Sequence, residues 1–133
     1  MKKLLFSLLN LVLLLVFVSC EKEEGPGGTA KIIGNVWVKD YNADFSRLIN
    51  TFWAEEEDVY LVYGTDSIHS DKTETTYNGA FMFEYLQEGD YTVFVYSKDS
   101  TLTAPSGRVP VIVKVSVADK GQVVVIPTIN IFK

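Results

Sequence analysis

The chain of 133 residues has one cysteine, one histidine and four prolines, and it has fewer basic than acidic residues, 12 against 17. A single cysteine excludes an intramolecular disulfide, so the stability of a folded domain must come from its apolar core. It also leaves no paired Cys/His spacing of the kind that binds zinc. The low content of lysine and arginine argues against nucleic acid as a partner, because phosphate binding needs concentrated positive charge.

No apolar stretch is long enough for a comfortable membrane span, and the longest is residues 4–18. Two lysines, Lys2 and Lys3, precede it, and the small residue Ser19 follows it. This order of positive, apolar and small residues is typical of a secretory signal. We therefore expect residues 1–19 to be a signal peptide that is removed on export.

Cys20 follows this signal directly, and Phe17-Val18-Ser19-Cys20 resembles the lipobox of bacterial lipoproteins. The resemblance implies that the Cys20 thiol carries a lipid and that Cys20 becomes the new N-terminus. The alternative is an ordinary secretory signal, which would leave an unpaired thiol in an oxidising compartment. Without residues 1–19, 10 basic residues remain against 17 acidic ones, and the net charge is −7.

Residues 20–29 are expected to form a flexible tether, because a charged run followed by a glycine-rich run cannot bury apolar surface. Within it, Lys22-Glu23-Glu24 is similar to the signal that sends some Gram-negative lipoproteins to the outer face of the outer membrane. The resemblance implies an outer-membrane lipoprotein, with the cell surface favoured over the periplasmic face. The remaining residues, 30–133, are enough for one core and one domain.

Alternation of apolar and polar residues dominates from residue 30 onward and predicts strands with one buried face. The residues that would share one face of each strand are Ile32, Gly34, Val36 and Val38; Val59, Leu61 and Tyr63; Phe81, Phe83 and Tyr85; Tyr91, Val93 and Val95; and Val109, Val111, Val113, Val115 and Val117. Further strands are expected at residues 73–77 and 123–132, the latter bent or interrupted at Pro127. Asn78-Gly79 predicts a hairpin turn. Seven short strands predict an all-β fold, a β-sandwich.

Residues 78–93 resemble the signature of carboxypeptidase regulatory-like and transthyretin-like domains, with a turn glycine, alternating phenylalanines and a Gly-x-Tyr corner. Ile33-Gly34-Asn35-Val36 is similar to the opening motif of the same superfamily. The resemblance implies a seven-stranded Greek-key β-sandwich. Such domains serve as folding appendages, stalk modules, glycan-surface accessories and ligand binders, and the resemblance brings no zinc site with it.

Catalytic chemistry has few candidate residues. His69 lies in a polar, turn-like stretch near Ser67, Ser70 and Asp71, and a mobile segment of this kind does not hold the geometry of a triad. We expect a solvated loop histidine, no catalytic residue, no cofactor and no enzymatic activity.

Acidic residues form two groups, one at residues 55–58 and one made of Asp66, Asp71 and Glu74. Carboxylate oxygens from such loops could bind calcium. The Asp-x-Asp-x-Asp-Gly order of a calcium loop is absent, however, and acidic runs are usually solvated faces. The sequence therefore predicts no metal site, and it leaves calcium binding by these loops open.

Aromatic residues carry the strongest indication of function. If odd-numbered residues of the second and fifth strands and even-numbered residues of the first face the core, then four aromatic side chains project outward: Trp37, Tyr60, Phe94 and Tyr96. In one interpretation residues 40–54 fold back, with a short helix around residues 48–53, and cover them with Phe45, Leu48, Ile49, Phe52 and Trp53. In the other, the aromatic residues form a protein-binding or glycan-binding surface to which Trp37 or Trp53 contributes.

The expected function is that of a non-enzymatic, membrane-anchored envelope or surface lipoprotein that acts as an interaction or accessory module for a protein partner. The alternative is a carbohydrate-binding accessory of a surface glycan-uptake system. A sandwich holds loops rigidly at its ends, which suits recognition without chemistry.

Overall fold

The computed structural model describes residues 1–4 and 23–133, so Cys20 and most of the predicted signal peptide lie outside the described residues. Within them the fold is all-β, with nine strands in two sheets, consistent with a β-sandwich. The strands are β1 (Pro26–Tyr41), β2 (Leu48–Trp53), β3 (Asp58–Tyr63), β4 (Asp71–Glu74), β5 (Ala80–Leu86), β6 (Gly89–Lys98), β7 (Arg108–Val117), β8 (Val123–Val125) and β9 (Ile129–Phe132). No helix in this part of the chain is long and apolar enough to cross a membrane.

The first sheet is built around β1, whose 16 residues pair with four other strands. The first half of β1 lies between antiparallel β5 and parallel β8. Its second half lies between antiparallel β2 and parallel β9. β8 and β9 are the two parts of the predicted last strand, and the interruption expected at Pro127 is confirmed.

The second sheet has the strand order β4-β3-β6-β7, and all its pairings are antiparallel. β6 and β7 pair along ten residues each, from Gly89 opposite Val117 to Lys98 opposite Arg108. The alternation predicted for β3 and β6 is confirmed, because Val59, Leu61, Tyr91, Val93 and Val95 are all buried.

The core lies between the two sheets and draws on both. The first sheet contributes Ile32, Val36, Val38, Ile129 and Ile131, all at most 2% exposed. The Ser97 hydroxyl of β6 accepts a hydrogen bond from the Phe132 N–H of β9 at 2.8 Å and links the sheets at one end. Burial of apolar area on this scale is the dominant favourable contribution to folding.

The helix predicted around residues 48–53 is wrong, because these residues form β2 and pair with β1. The spacing that indicated a helix was Leu48 with Phe52 and Ile49 with Trp53. Residues four apart share one face of a helix, but they also share one face of a strand. β2 and the division of the last strand account for nine strands, where seven are predicted.

Three further details differ from the prediction. The strand expected at residues 73–77 lies at Asp71–Glu74. β1 begins at Pro26, so residues 26–29, expected within the flexible tether, lie in a strand. Tyr85, expected on the same face as Phe81 and Phe83, is 71% exposed. Its positive φ of 57° interrupts the alternation near the end of β5.

Candidate binding surfaces

The five aromatic residues predicted to form a binding surface fall into two groups on different sheets. Trp37 of β1 lies opposite Trp53 of β2. Tyr60 of β3 lies opposite Phe94 of β6, and Tyr96 is two residues further along β6. Because the other face of each sheet packs into the shared core, the two groups lie on opposite sides of the domain.

The first group is a tryptophan pair. The Trp37 and Trp53 rings meet edge to face, with centroids 4.7 Å apart and planes at 78°. Trp37 is half-buried and Trp53 is 42% exposed. The Trp53 side chain also lies directly over Gly79, in the turn that leads from β4 of the second sheet to β5 of the first. Trp53 therefore partly covers Trp37, as the first interpretation expected, although it does so from a strand. The hairpin predicted at Asn78-Gly79 is wrong, because the strands on either side of this turn lie in different sheets.

A short apolar row lies further along the outer face of the first sheet, separated from this pair by Asn35. The pairing registers put Ile33 beside both Met82 and Val125 on the same face. Met82 is 45% exposed and Val125 is 70% exposed. This row is apolar, and its side chains lack the hydrogen-bonding groups that would orient a polar ligand.

The second group lies on the outer face of β3, β6 and β7, which we name the second-sheet face. Tyr60 and Phe94 stack with ring centroids 4.9 Å apart and planes at 10°. Neighbouring strands are about 4.8 Å apart, and two rings lying flat side by side could not bring their centroids this close. The rings therefore stand upright on the sheet and direct their edges outward.

Tyr96 completes this aromatic cluster. Its ring meets Tyr60 and Phe94 edge to face, with centroids 5.6 Å and 5.5 Å away. The Arg108 guanidinium lies over the Tyr96 ring at 5.4 Å, in a cation–π contact. On the other side, the His69 ring meets Tyr60 edge to face at 4.9 Å. None of these ring contacts comes from residues 40–54, which the sequence offered as a cover.

The second-sheet face carries both basic and acidic side chains. Strand alternation puts the following basic residues on this face: Lys72, Lys98, Arg108 and Lys114. The Lys98 Nζ lies over the Phe45 ring, 5.1 Å from its centroid. The same face carries three acidic side chains: Asp58 is paired with Lys72 at 3.3 Å, Glu74 lies opposite Asp58, and Asp90 accepts a hydrogen bond from the Ser116 hydroxyl at 3.0 Å. The charges on this face therefore nearly balance, and positive charge is concentrated at the Tyr96 end, where Lys98 lies opposite Arg108.

Sequence analysis missed Arg108 and Ile112 as members of this face. Ile112 is 55% exposed and lies opposite Phe94. The alternation of valines at residues 109–117 could have identified both residues, because it puts Arg108, Ile112, Lys114 and Ser116 on the outer side of the strand. Arg108 also follows a polar stretch, so it could be assigned to the loop before β7 as readily as to the strand.

A groove of about 380 Å³ lies at one end of the second-sheet face, lined partly by Glu24, Asp90, Thr92, Lys114 and Ser116. Lys114 Nζ donates to the Thr92 hydroxyl at 3.0 Å, and the Asp90 carboxylate accepts from Ser116. These polar side chains bond one another, so they do not converge on a common point as the groups of an active site do.

The candidate metal and catalytic residues are not brought together. Among residues 1–4 and 23–133, no three His, Cys, Asp or Glu side chains lie close enough to hold a metal ion. His69 contacts the Tyr60 ring rather than a serine or a carboxylate.

Comparison with known proteins gives no relative, since no protein-family model and no curated protein matches the chain.

Proposed function

We propose that the protein is a non-enzymatic, membrane-anchored envelope lipoprotein that binds an acidic protein partner through its second-sheet face. The anchor is the lipid on Cys20, supported by the order of residues 1–20. The domain is a transthyretin-like or carboxypeptidase regulatory-like Greek-key sandwich, supported by the motif in residues 78–93.

The observation that carries the proposal is the upright aromatic cluster with Arg108 on the Tyr96 ring. Tyrosine and arginine are enriched in the energetically dominant parts of protein interfaces. Upright rings present edges and hydroxyl groups between which a partner's side chains can insert. A sugar ring stacks on an open aromatic face, and the Tyr60–Phe94 stack uses one face of each ring.

The positive charge at the Tyr96 end of this face indicates the charge of the partner. Lys98 and Arg108 are neighbours across β6 and β7, and Lys114 lies further along the same strand as Arg108. Opposite charge on a partner would accelerate the encounter and fix its orientation, in a way that salt weakens.

The alternative function, a carbohydrate-binding accessory of a glycan-uptake system, depends on Trp53. Its indole is 42% exposed on the first sheet, away from the second-sheet face. Glycan binding there would change tryptophan fluorescence on titration with polysaccharides, and Trp53→Ala would abolish the change. Binding of a protein at the second-sheet face would leave these polysaccharides inert.

The decisive experiment is site-specific photocrosslinking of the full chain in the cells that produce it. A photoreactive residue at position 112 should give a discrete protein adduct, and the same residue at position 125, on the other sheet, should give none. Arg108→Glu should abolish the adduct, whereas the matched charge change Lys120→Glu, in the turn after β7, should preserve it. Equal adducts at both positions, or an adduct insensitive to Arg108→Glu, would contradict the proposal.

A further inference from the structure

Hydrogen bonds attach the chain to the domain at Gly25, two residues after the described segment begins at Glu23. The Tyr91 hydroxyl accepts a hydrogen bond from the Gly25 N–H at 2.9 Å and donates one to the Gln87 carbonyl at 2.7 Å. The Gln87 N–H donates to the Gly25 carbonyl at 2.9 Å. Gly25 and Tyr91 are both buried, so these bonds are made away from competing water.

Residues on either side of Gly25 are also held. The Gln87 side-chain amide donates to the Pro26 carbonyl at 2.6 Å. The Glu24 carboxylate accepts a hydrogen bond from the Asp90 N–H at 3.2 Å. From Glu24 onward the chain is therefore part of the folded domain, and we name residues 20–23, which join Cys20 to it, the leash.

This attachment limits the length of the leash. Four Cα–Cα steps separate Cys20 from Glu24, and a fully extended chain gains at most about 3.6 Å per step. Glu24 therefore lies within about 14 Å of Cys20. β1 runs away from this point for 16 residues, which at about 3.3 Å per residue is about 50 Å.

We infer that the domain stands close to the membrane with a fixed polarity, so that the end around Glu24 and the β5–β6 corner faces the lipid and the opposite end faces away. The inference rests on the proposed lipidation of Cys20. The membrane-facing end also includes the turn after β7 at residues 118–122, because Val117 pairs with Gly89. The outward end carries the loops at residues 42–47 and 99–107, which follow Tyr41 and Lys98.

Charge indicates how this end meets the lipid. Glu24 and Asp90 lie at the membrane-facing end, and the adjacent turn carries Asp119 beside Lys120, so these three carboxylates outnumber the single lysine. Carboxylates are repelled by anionic headgroups. The lipid on Cys20 therefore holds the domain at the bilayer, and the polarity comes from the short leash rather than from adhesion of the protein surface. Both sheet faces then stand sideways, where neighbouring envelope proteins can reach them.

The test uses the lipidated full chain in neutral lipid vesicles that carry a headgroup quencher. A fluorophore is attached to a cysteine introduced as Asp119→Cys, at the membrane-facing end, or as Ser106→Cys, at the outward end. We expect at least threefold stronger quenching for the first label. A flexible Gly-Ser spacer inserted between Glu23 and Glu24 should reduce this difference, because it lengthens the leash without changing the domain.

The outcomes separate the inference from the proposed function on which it rests. Equal quenching at the two positions, on protein that floats with the vesicles, would overturn the fixed polarity alone. Failure of the chain to float, or flotation of Cys20→Ser equal to that of the unchanged chain, would overturn lipid anchoring and the inference with it.

Discussion

Trp53 packs directly over Gly79, so that a Cβ atom at Gly79 would lie 3.0 Å from Cε3 of the Trp53 ring. The same Cβ would lie 2.6 Å from the Val36 carbonyl oxygen. Gly79 has a φ of 75° and closes the turn before β5. The turn and the tryptophan pair therefore depend on each other, because a side chain at position 79 would displace both β1 and Trp53.

Gly79→Ala should destabilise the protein by more than Gly107→Ala. Gly107 has a similar φ of 70°, but nothing lies within 4 Å of its hypothetical Cβ. Gly107→Ala thus measures backbone strain alone, about 1 kcal/mol, and Gly79→Ala adds an overpacking cost of about 1–3 kcal/mol. Chemical denaturation of both variants gives the difference. Equal losses would show that the contact with Trp53 and Val36 relaxes without cost.

Tyr91→Phe should lower the free energy of unfolding by about 1–3 kcal/mol, because it leaves the buried Gly25 N–H without its acceptor. Hydrogen exchange at Gly25 should accelerate more than exchange in the centre of β6. Tyr77→Phe is the matched control, because Tyr77 is 80% exposed and its hydroxyl is free to bond water. Unchanged exchange at Gly25 would mean that Tyr91 does not fasten the chain.

Stability should fall at alkaline pH. Burial raises the pKa of Tyr91, and burial together with the Asp71 charge raises the pKa of Tyr63. In the unfolded chain the two tyrosine hydroxyls lose their protons near pH 10, before they do so in the folded protein. Their contribution to the free energy of unfolding is therefore complete below about pH 10, and it is lost as the pH rises through the folded pKa values. Unfolding measured from about pH 8 to about pH 11 should show this fall, and Tyr91→Phe should reduce its slope. A flat profile would contradict the prediction.

Asp99→Asn should loosen the loop between β6 and β7. The Asp99 carboxylate accepts hydrogen bonds from the backbone N–H groups of Thr101, Thr103 and Ala104, and these bonds, with the Thr101 hydroxyl, hold its pKa well below the usual range. These bonds hold the loop in place fully above about pH 4. They are lost as the pH falls through the pKa of Asp99 in the folded protein, which is lower than its pKa in the unfolded chain.

Hydrogen exchange of the three loop amides checks this prediction. It should accelerate in Asp99→Asn, because a neutral amide offers one acceptor oxygen where the carboxylate offers two. Asp66→Asn, in the exposed loop after β3, is the control and should leave these amides protected. Protection that survives in Asp99→Asn would assign the order of the loop to its backbone alone.

Alternation could be read from the sequence wherever one face of a strand is buried. The buried Val59, Leu61, Val93 and Val95 show why, because the core accepts only one of the two faces. β2 could not be identified in this way, since all six of its residues are exposed and no face is selected by the core.

The candidate site was only partly predictable for a related reason. Alternation shows that Trp37 and Tyr60 point out of their own sheets, but not that the two sheets direct them to opposite sides of the domain. The attachment of Gly25 was also beyond prediction, because its partner Tyr91 is 66 residues away along the chain. Glycine next to proline indicates a linker when only local sequence is considered.

β1 and β9 are neighbours in the first sheet, where Val36 pairs with Ile129. Synthesis from the N-terminus delivers β1 before β9, so the first sheet stays incomplete until residue 132 has been made. Contacts of such long separation also slow the closure of a fold. For the proposed exported lipoprotein, this late completion of the sheet would keep the chain unfolded during its passage across the membrane.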